Sequence, residues 1–420
     1  MQYRITAPGR LDATIKLPAS KSISNRALVI HALSGGGIMP ENLSDCDDTN
    51  VIIRALRDNP YDIDIKAAGT AMRFMTALLS VRSGEEHILT GTERMKQRPI
   101  AVLVDALRHL GADISYTGTE GFPPLRIHGQ ALEGGTLEVA GNISSQYISA
   151  LLMIGPVLRD GLTLRLKGAT ISRPYIDLTL YMMREFGADA EWSDFETITV
   201  APKPYTGRPY YIESDWSAAS YWYEMMALSK GGDEDVLLLE GLMDGSKQGD
   251  SSLRYIFSLL GVKTTFETKQ EGVPTTVTLR HSGRCVPRLE YDFNNSPDLA
   301  QTFVVCCALM DVPFHFRGLS TLKIKETDRI EALKKEMRKL GYVIKDRNNS
   351  ELIWDGERCE PDYAAGIDTY EDHRMALAFA PAAFRFDGLR INNPSVVTKS
   401  YPRFWEHLRQ TGFQIEMSNE

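Results

Sequence analysis

The chain has 420 residues, 43% of them hydrophobic and 24% charged, a globular composition that excludes a disordered or fibrous protein. That length exceeds one ordinary hydrophobic core and predicts two or three domains. A formal net charge of −8 argues against a nucleic-acid surface, so any anion bound here must be met by a local cluster of cations.

In chain order, the opening MQYRITAPGR holds no signal-like apolar run, and no apolar run approaches the ~18 residues of a membrane span. Cys46, Cys285, Cys306, Cys307 and Cys359 are odd in number and show no C-x-x-C spacing, which predicts reduced thiols and neither a disulfide framework nor a zinc site. A cytoplasmic chain that binds neither membrane nor nucleic acid is expected.

The first predicted helix, LPASKSISNRALVIHAL (residues 17–33), is apolar, yet Lys21, Ser22, Ser24 and Arg26 crowd its first turns. Cations there repel the positive end of the helix dipole unless a multiply charged anion lies between them. Five similar starts follow: GTAMRFMTALLS, SSQYISALLM, SDWSAASYWYEMMAL, SPDLAQTFVVCCALM and EDHRMALAFAPAAF. One polar start is merely a helix N-terminus; six in phase predict an internal repeat.

A second marker keeps the same period. LRHLGADI, MREFGADA, FSLLGVKT, MRKLGYVI and LRQTGFQI place glycines at 111, 187, 261, 341 and 412, each suited to a left-handed helix C-cap. A weaker copy, LRDNPYDI, has Pro60 in the glycine's place. Each unit of roughly 70 residues thus holds two helices and β-prone segments such as TLEVAG and GLTLRLKGA. The first unit is short: about 9 residues separate Pro60 from Gly69, where other units have about 33 to 35, so roughly two strands are missing. Units packed around a common axis would bring the helix starts together, pooling free N–H groups and positive dipole ends.

Cationic and hydroxyl residues cluster at these starts and in the loops RMKQRP (94–99), SRPY (172–175), KIKETDR (323–329) and VTKSYPR (397–403). Asp298 and Glu326 lie on different units among cations and suit a base and an acid whose proton affinities are set by unlike neighbours. A helix cap for Asp298 and an ion pair for Glu326 are the alternative. The sequence has no Walker phosphate loop, no strand-linked G-x-G-x-x-G, no H-E-x-x-H and no G-x-S-x-G, and its histidines show no ligand spacing. Neither a metal nor a cofactor is expected.

Taken together, LPASKSISNRAL, AGTAMR, RMKQRPI, SSQY, SRPYID, PDLA, KETDRI, DHRMA and TKSYP resemble the 3-phosphoshikimate 1-carboxyvinyltransferases, the EPSP synthases, from about residue 9 to 405. The resemblance implies an α/β (α+β) fold, a two-lobed inside-out α/β barrel with six repeats of a two-helix, four-strand unit, three per lobe, the first truncated. One lobe would span 20–213 and the other 1–19 with 214–420, and ligands would bind between closing lobes. It further implies transfer of the enolpyruvyl group of phosphoenolpyruvate to the 5-hydroxyl of shikimate-3-phosphate, by a cytoplasmic monomer.

Carried over by motif, Lys21, Ser22, Arg26, Ser144, Ser145, Gln146, Ser172, Asp298 and Lys325 match the shikimate-3-phosphate site. Lys21, Gly69, Arg98, Gln146, Arg329, Arg374 and Lys399 match the phosphoenolpyruvate site. Asp298 and Glu326, with Lys21, match the catalytic set. Ala67, Phe74 and Thr321 depart from the family pattern and predict a reshaped pocket with altered phosphoenolpyruvate and glyphosate affinity. The rival readings are a catalytically impaired anion-binding homologue and a UDP-N-acetylglucosamine enolpyruvyl transferase; the latter normally carries a cysteine in the RMKQRP loop, absent here.

Overall fold

The structure, a computed structural model, describes residues 1–268 and 270–418. Two compact units divide it, one of residues 1–18 with 213–420 and one of residues 19–212, and each has its own hydrophobic core. Strands β1 (Gln2–Thr6) and β2 (Asp12–Lys16) open the larger unit. The smaller unit follows with α1 (Lys21–Leu33), α2 (Asp47–Asp58), β3 (Asp62–Asp64), α3 (Gly69–Ser80), β4 (Glu86–Thr90), α4 (Ala101–His109), β5 (Asp113–Tyr116), β6 (Leu125–His128), β7 (Gly135–Ala140), α5 (Ser145–Ile154), β8 (Leu162–Lys167), α6 (Arg173–Glu185), β9 (Ala190–Trp192) and β10 (Thr197–Val200). The larger unit resumes with α7 (Trp216–Leu228), β11 (Val236–Met243), α8 (Leu253–Leu259), β12 (Val262–Phe266), β13 (Pro274–His281), β14 (Leu289–Asp292), α9 (Ala300–Leu309), β15 (Phe314–Arg317), α10 (Arg329–Lys339), β16 (Lys345–Arg347), β17 (Glu351–Trp354), α11 (His373–Phe379), β18 (Leu389–Asn392), α12 (Phe404–Gln410) and β19 (Gln414–Ser418).

Four sheets repeat one plan: β3-β4-β6-β5, β7-β8-β10-β9, β2-β11-β13-β12 and β14-β15-β17-β16. In three of them a strand, a buried helix and a parallel strand form a crossover; in the third sheet the smaller unit is inserted between β2 and the buried helix α7 that precedes the parallel β11. In all four an antiparallel hairpin completes the sheet. The last repeat borrows β1 from the chain start as the middle strand of β18-β1-β19, and its own first strand is reduced to a parallel bridge between Ile367 and Ile391.

The six polar-start segments become α1, α3, α5, α7, α9 and α11, which bury most or all of their residues. A helix apolar on every side must lie inside, and α2, α4, α6 and α10, with one apolar face each, flank these inner helices. Helices inside and sheets outside make each unit an inside-out α/β barrel of three repeats.

All five marker glycines adopt φ between 84° and 99°, as a left-handed C-cap requires. In the first repeat that conformation falls on Asn59 (φ 41°), with Pro60 just after it, so the weaker copy is the same device shifted by one residue. There the chain passes from α2 to β3 with no strand between, and the other pairing of that repeat is one parallel bridge, Glu41 with Tyr211. The missing pair is thus the outer hairpin, and α1 is complete. Among the described residues no helix is long and apolar enough to cross a membrane.

Candidate active site

In the smaller unit, α1, α3 and α5 pack together. Gln146 Nε2 donates to Thr70 Oγ1 at 3.1 Å, tying the start of α5 to that of α3. Ser144 caps α5 by accepting from the Gln146 N–H at 3.3 Å, and Ser145 beside it is buried. Ser172, the residue before α6, is held at φ 54°, ψ 33° without capping that helix, a left-handed conformation uncommon outside glycine.

Lys21 begins α1, and its Nζ donates to Asp48 Oδ2 at 3.2 Å. Arg26 is buried, and five hydrogen bonds use its five donors: Thr179 Oγ1 at 2.7 Å, Ser22 Oγ at 2.8 Å, the Ser22 carbonyl at 3.0 Å, Ser149 Oγ at 3.2 Å and the Tyr175 carbonyl at 3.3 Å. Burial pulls its guanidinium down to about 10, so it stays charged at neutral pH. In this geometry Arg26 sets the position of the Ser22 hydroxyl and of the α6 start. Phe74, in the core of this unit, lies under it at 5.4 Å.

Arg98 spreads its guanidinium over the first residue of α3, so close that a Cβ on Gly69 would lie 2.7 Å from Arg98 Nη1. The N-cap of α3 is Ala68, which offers no side-chain acceptor, and the buried Arg98 Nε has no hydrogen-bond partner among the described residues. A cation against a positive helix end is a site for an anion. The loop that carries Arg98 is fixed from below: Arg73 Nη2 donates to the Pro99 carbonyl at 3.2 Å and Tyr147 Oη at 2.5 Å.

The larger unit presents a denser charge cluster at the starts of α9, α10 and α11, and it corrects the expectation that Asp298 and Glu326 lie on different repeats: they precede α9 and α10, the two helices of the one repeat whose sheet is β14-β15-β17-β16. Asp298 Oδ1 accepts from Arg329 Nη1 at 2.8 Å and lies 3.3 Å from Lys325 Nζ, while its Oδ2 accepts from Arg374 Nη2 at 3.3 Å. Glu326 accepts from Lys399 Nζ at 2.6 Å and from Arg329 Nη2 at 3.0 Å. Arg329 is gripped in turn by Asp372, at 2.7 Å and 3.2 Å, and Arg374 Nη1 donates to Tyr221 Oη at 3.3 Å. Burial alone would push the Asp298 carboxyl up, but Lys325, Arg374 and Arg329 outweigh it and hold it well below the usual carboxylate range. Four cations thus surround three carboxylates.

Three partners of this chemistry carried no signal in the sequence. Asp48 lies 27 residues from Lys21, and Thr179 lies 153 from Arg26, with only the fold to join them. Tyr221 stands in an apolar run that reads as core. Asp372, a polar residue just before a helix start, was the one open to detection as an N-cap.

The EPSP synthase family, described as 3-phosphoshikimate 1-carboxyvinyltransferase, matches this chain over residues 5–59 and 58–408. This chain belongs to the EPSP synthase family. A 3-phosphoshikimate 1-carboxyvinyltransferase of Bacteroides fragilis is 58% identical over 420 residues, all of both chains. One of Shewanella woodyi is 33% identical over 437 residues, covering 96% of this chain and 98% of its own. The EPSP synthase fold is also that of the Acinetobacter baumannii EPSP synthase, with a TM-score of 0.78 at 21% identity over 99% of this chain and 100% of that one. The enolpyruvyl transferase NikO of Streptomyces tendae gives 0.71 at 17% identity, over 99% and 98%.

Proposed function

We propose that this chain transfers the enolpyruvyl group of phosphoenolpyruvate to the 5-hydroxyl of shikimate-3-phosphate, releasing phosphate and forming 5-enolpyruvylshikimate-3-phosphate. The observation that carries the reading is the pair Asp298 and Glu326, two carboxylates held 2.8 Å and 3.0 Å from one guanidinium, that of Arg329. Acid–base chemistry at two atoms of one reaction needs such a pair, each in a different charge setting.

Asp298 is the base. Its oxygen takes the proton of the 5-hydroxyl while Glu326 gives a proton to the methylene carbon of phosphoenolpyruvate, and the substrate oxygen bonds to C2. The resulting tetrahedral ketal collapses in reverse order. The new methyl group returns a proton to Glu326, the C2–O bond to phosphate breaks, and the proton on Asp298 leaves with the phosphate. Lys325, Arg329, Arg374 and Lys399 now occupy these carboxylates. A phosphate and a carboxylate from substrate compete for the same cations, and each cation drawn away raises the proton affinity of Asp298 or Glu326. Substrate binding thereby readies both groups, and the cations stabilise the charge that moves.

On the smaller unit, Arg98 with Gly69, Gln146 and Lys21 serves phosphoenolpyruvate, and Ser22, Arg26, Ser144, Ser145 and Ser172 serve shikimate-3-phosphate. The shortened repeat does not favour an impaired homologue, because what it lacks is an outer hairpin and α1 keeps its network with α5 and α6. We take the working form to be a monomer in the cytoplasm, in keeping with its free thiols. The test is phosphate release on mixing both substrates. Release that depends on both supports the reading, and none above background at millimolar concentrations overturns it.

A further inference from the structure

Helix α10 touches the segment before α11 at two levels. Its first residue, Arg329, holds Asp372, and Glu336 lies seven residues further, two turns along the same face. Glu336 is fully buried. Its Oε1 accepts from Tyr370 Oη at 2.5 Å, and its Oε2 accepts from the Asp368 N–H at 3.0 Å and from Lys339 Nζ at 2.7 Å. Between these two levels, Tyr370 and Glu371 both sit in the left-handed region, at φ 54° and 57°.

Two successive non-glycine residues do not hold that conformation unaided. It persists where the surroundings over-determine it. Here its effect is local and specific. The reversed pair turns the chain so that Asp372 meets Arg329 with both oxygens and caps the Arg374 N–H at 3.0 Å. Asp372 thus grips the Arg329 guanidinium directly and fixes Arg374 through its backbone N–H, both residues being contacts of Asp298, and the turn that delivers Asp372 is tied to α10 by the bond between Tyr370 and Glu336.

We propose that Tyr370 and Glu336 are positioning residues for the Arg329 and Arg374 pair, and so determine affinity for phosphoenolpyruvate without touching it. The proposal rests on the transfer reading above. The test compares wild type, Y370F and E336Q in steady-state kinetics with each substrate varied, alongside thermal melting and, should the wild type show no turnover, calorimetric binding of phosphoenolpyruvate to the shikimate-3-phosphate-saturated protein. Y370F should raise KM for phosphoenolpyruvate about tenfold, with kcat and KM for shikimate-3-phosphate changed less than about threefold. E336Q keeps an oxygen for Tyr370 and should sit between the two.

Equal loss in all parameters that tracks a lower Tm would overturn the proposal, as would unchanged KM values in a folded Y370F. A wild-type chain without turnover would refute the transfer reading alone. In that case phosphoenolpyruvate binding still decides the matter: weaker binding to folded Y370F upholds the positioning role, and unchanged binding refutes it.

Discussion

At the scale of single residues, the charge on Asp298 is the quantity the site controls. Three cations keep it ionised despite burial, so it is available as an acceptor but weakly basic until substrate anions engage those cations. D298N preserves shape and removes the acceptor. Steady-state assays should show kcat falling about 10²–10⁴-fold, while KM for phosphoenolpyruvate does not rise, since the cations have lost a competitor. Glu213 is a buried carboxyl outside this cluster. It accepts from Ser246 Oγ at 2.8 Å, and burial, opposed by hydrogen bonds, pushes it up to about 7 from 4.5. A raised acid favours the folded state in its protonated form, so its contribution is full below pH 4.5 and is lost as pH rises through 7. Urea denaturation should find that E213Q removes about 3 kcal/mol of decline between pH 4.5 and 8.

At the scale of elements, the start of α3 shows how a helix and a loop make one anion site. Gly69 leaves room for Arg98 to lie across the helix end, and any side chain there would meet Nη1 at 2.7 Å. G69A therefore displaces the guanidinium while leaving φ and helix propensity acceptable. KM for phosphoenolpyruvate should rise about tenfold or more, with the Tm little changed; an unchanged KM would separate Gly69 from the site. The motif RMKQRP announces a cationic loop, yet which of its residues faces the helix depended on Arg73 and Tyr147 gripping the Pro99 carbonyl. Those contacts join residues 26 and 48 positions apart, so no local pattern records them.

At the scale of the molecule, the last repeat is closed by the first strand. β1 pairs with both β18 and β19, and the same repeat carries α11 and Arg374. Deleting residues 2–6 removes the middle of a three-stranded sheet and leaves β18 and β19 without the strand that both pair with. Thermal and urea unfolding should show destabilisation by more than ~3 kcal/mol, and retained stability would mean that β18 and β19 find another partner.

Much of this architecture was legible in the sequence. Helix starts, glycine C-caps and the shortened first unit all follow from short-range rules, and a period of roughly 70 residues survives because each repeat obeys the same rules. The joint run of motifs from LPASKSISNRAL to TKSYP was enough to place the chain in its family. What only the tertiary structure decided is which charges answer one another. Arg26 and Arg329 look alike in sequence as cations near helix starts. In the fold, one spends its five donors on neutral oxygens of its own unit and the other joins Asp298, Glu326 and Asp372. A charge has its effect over a few ångströms, and the residues that come within that distance are set by the packing of helices far apart in the chain.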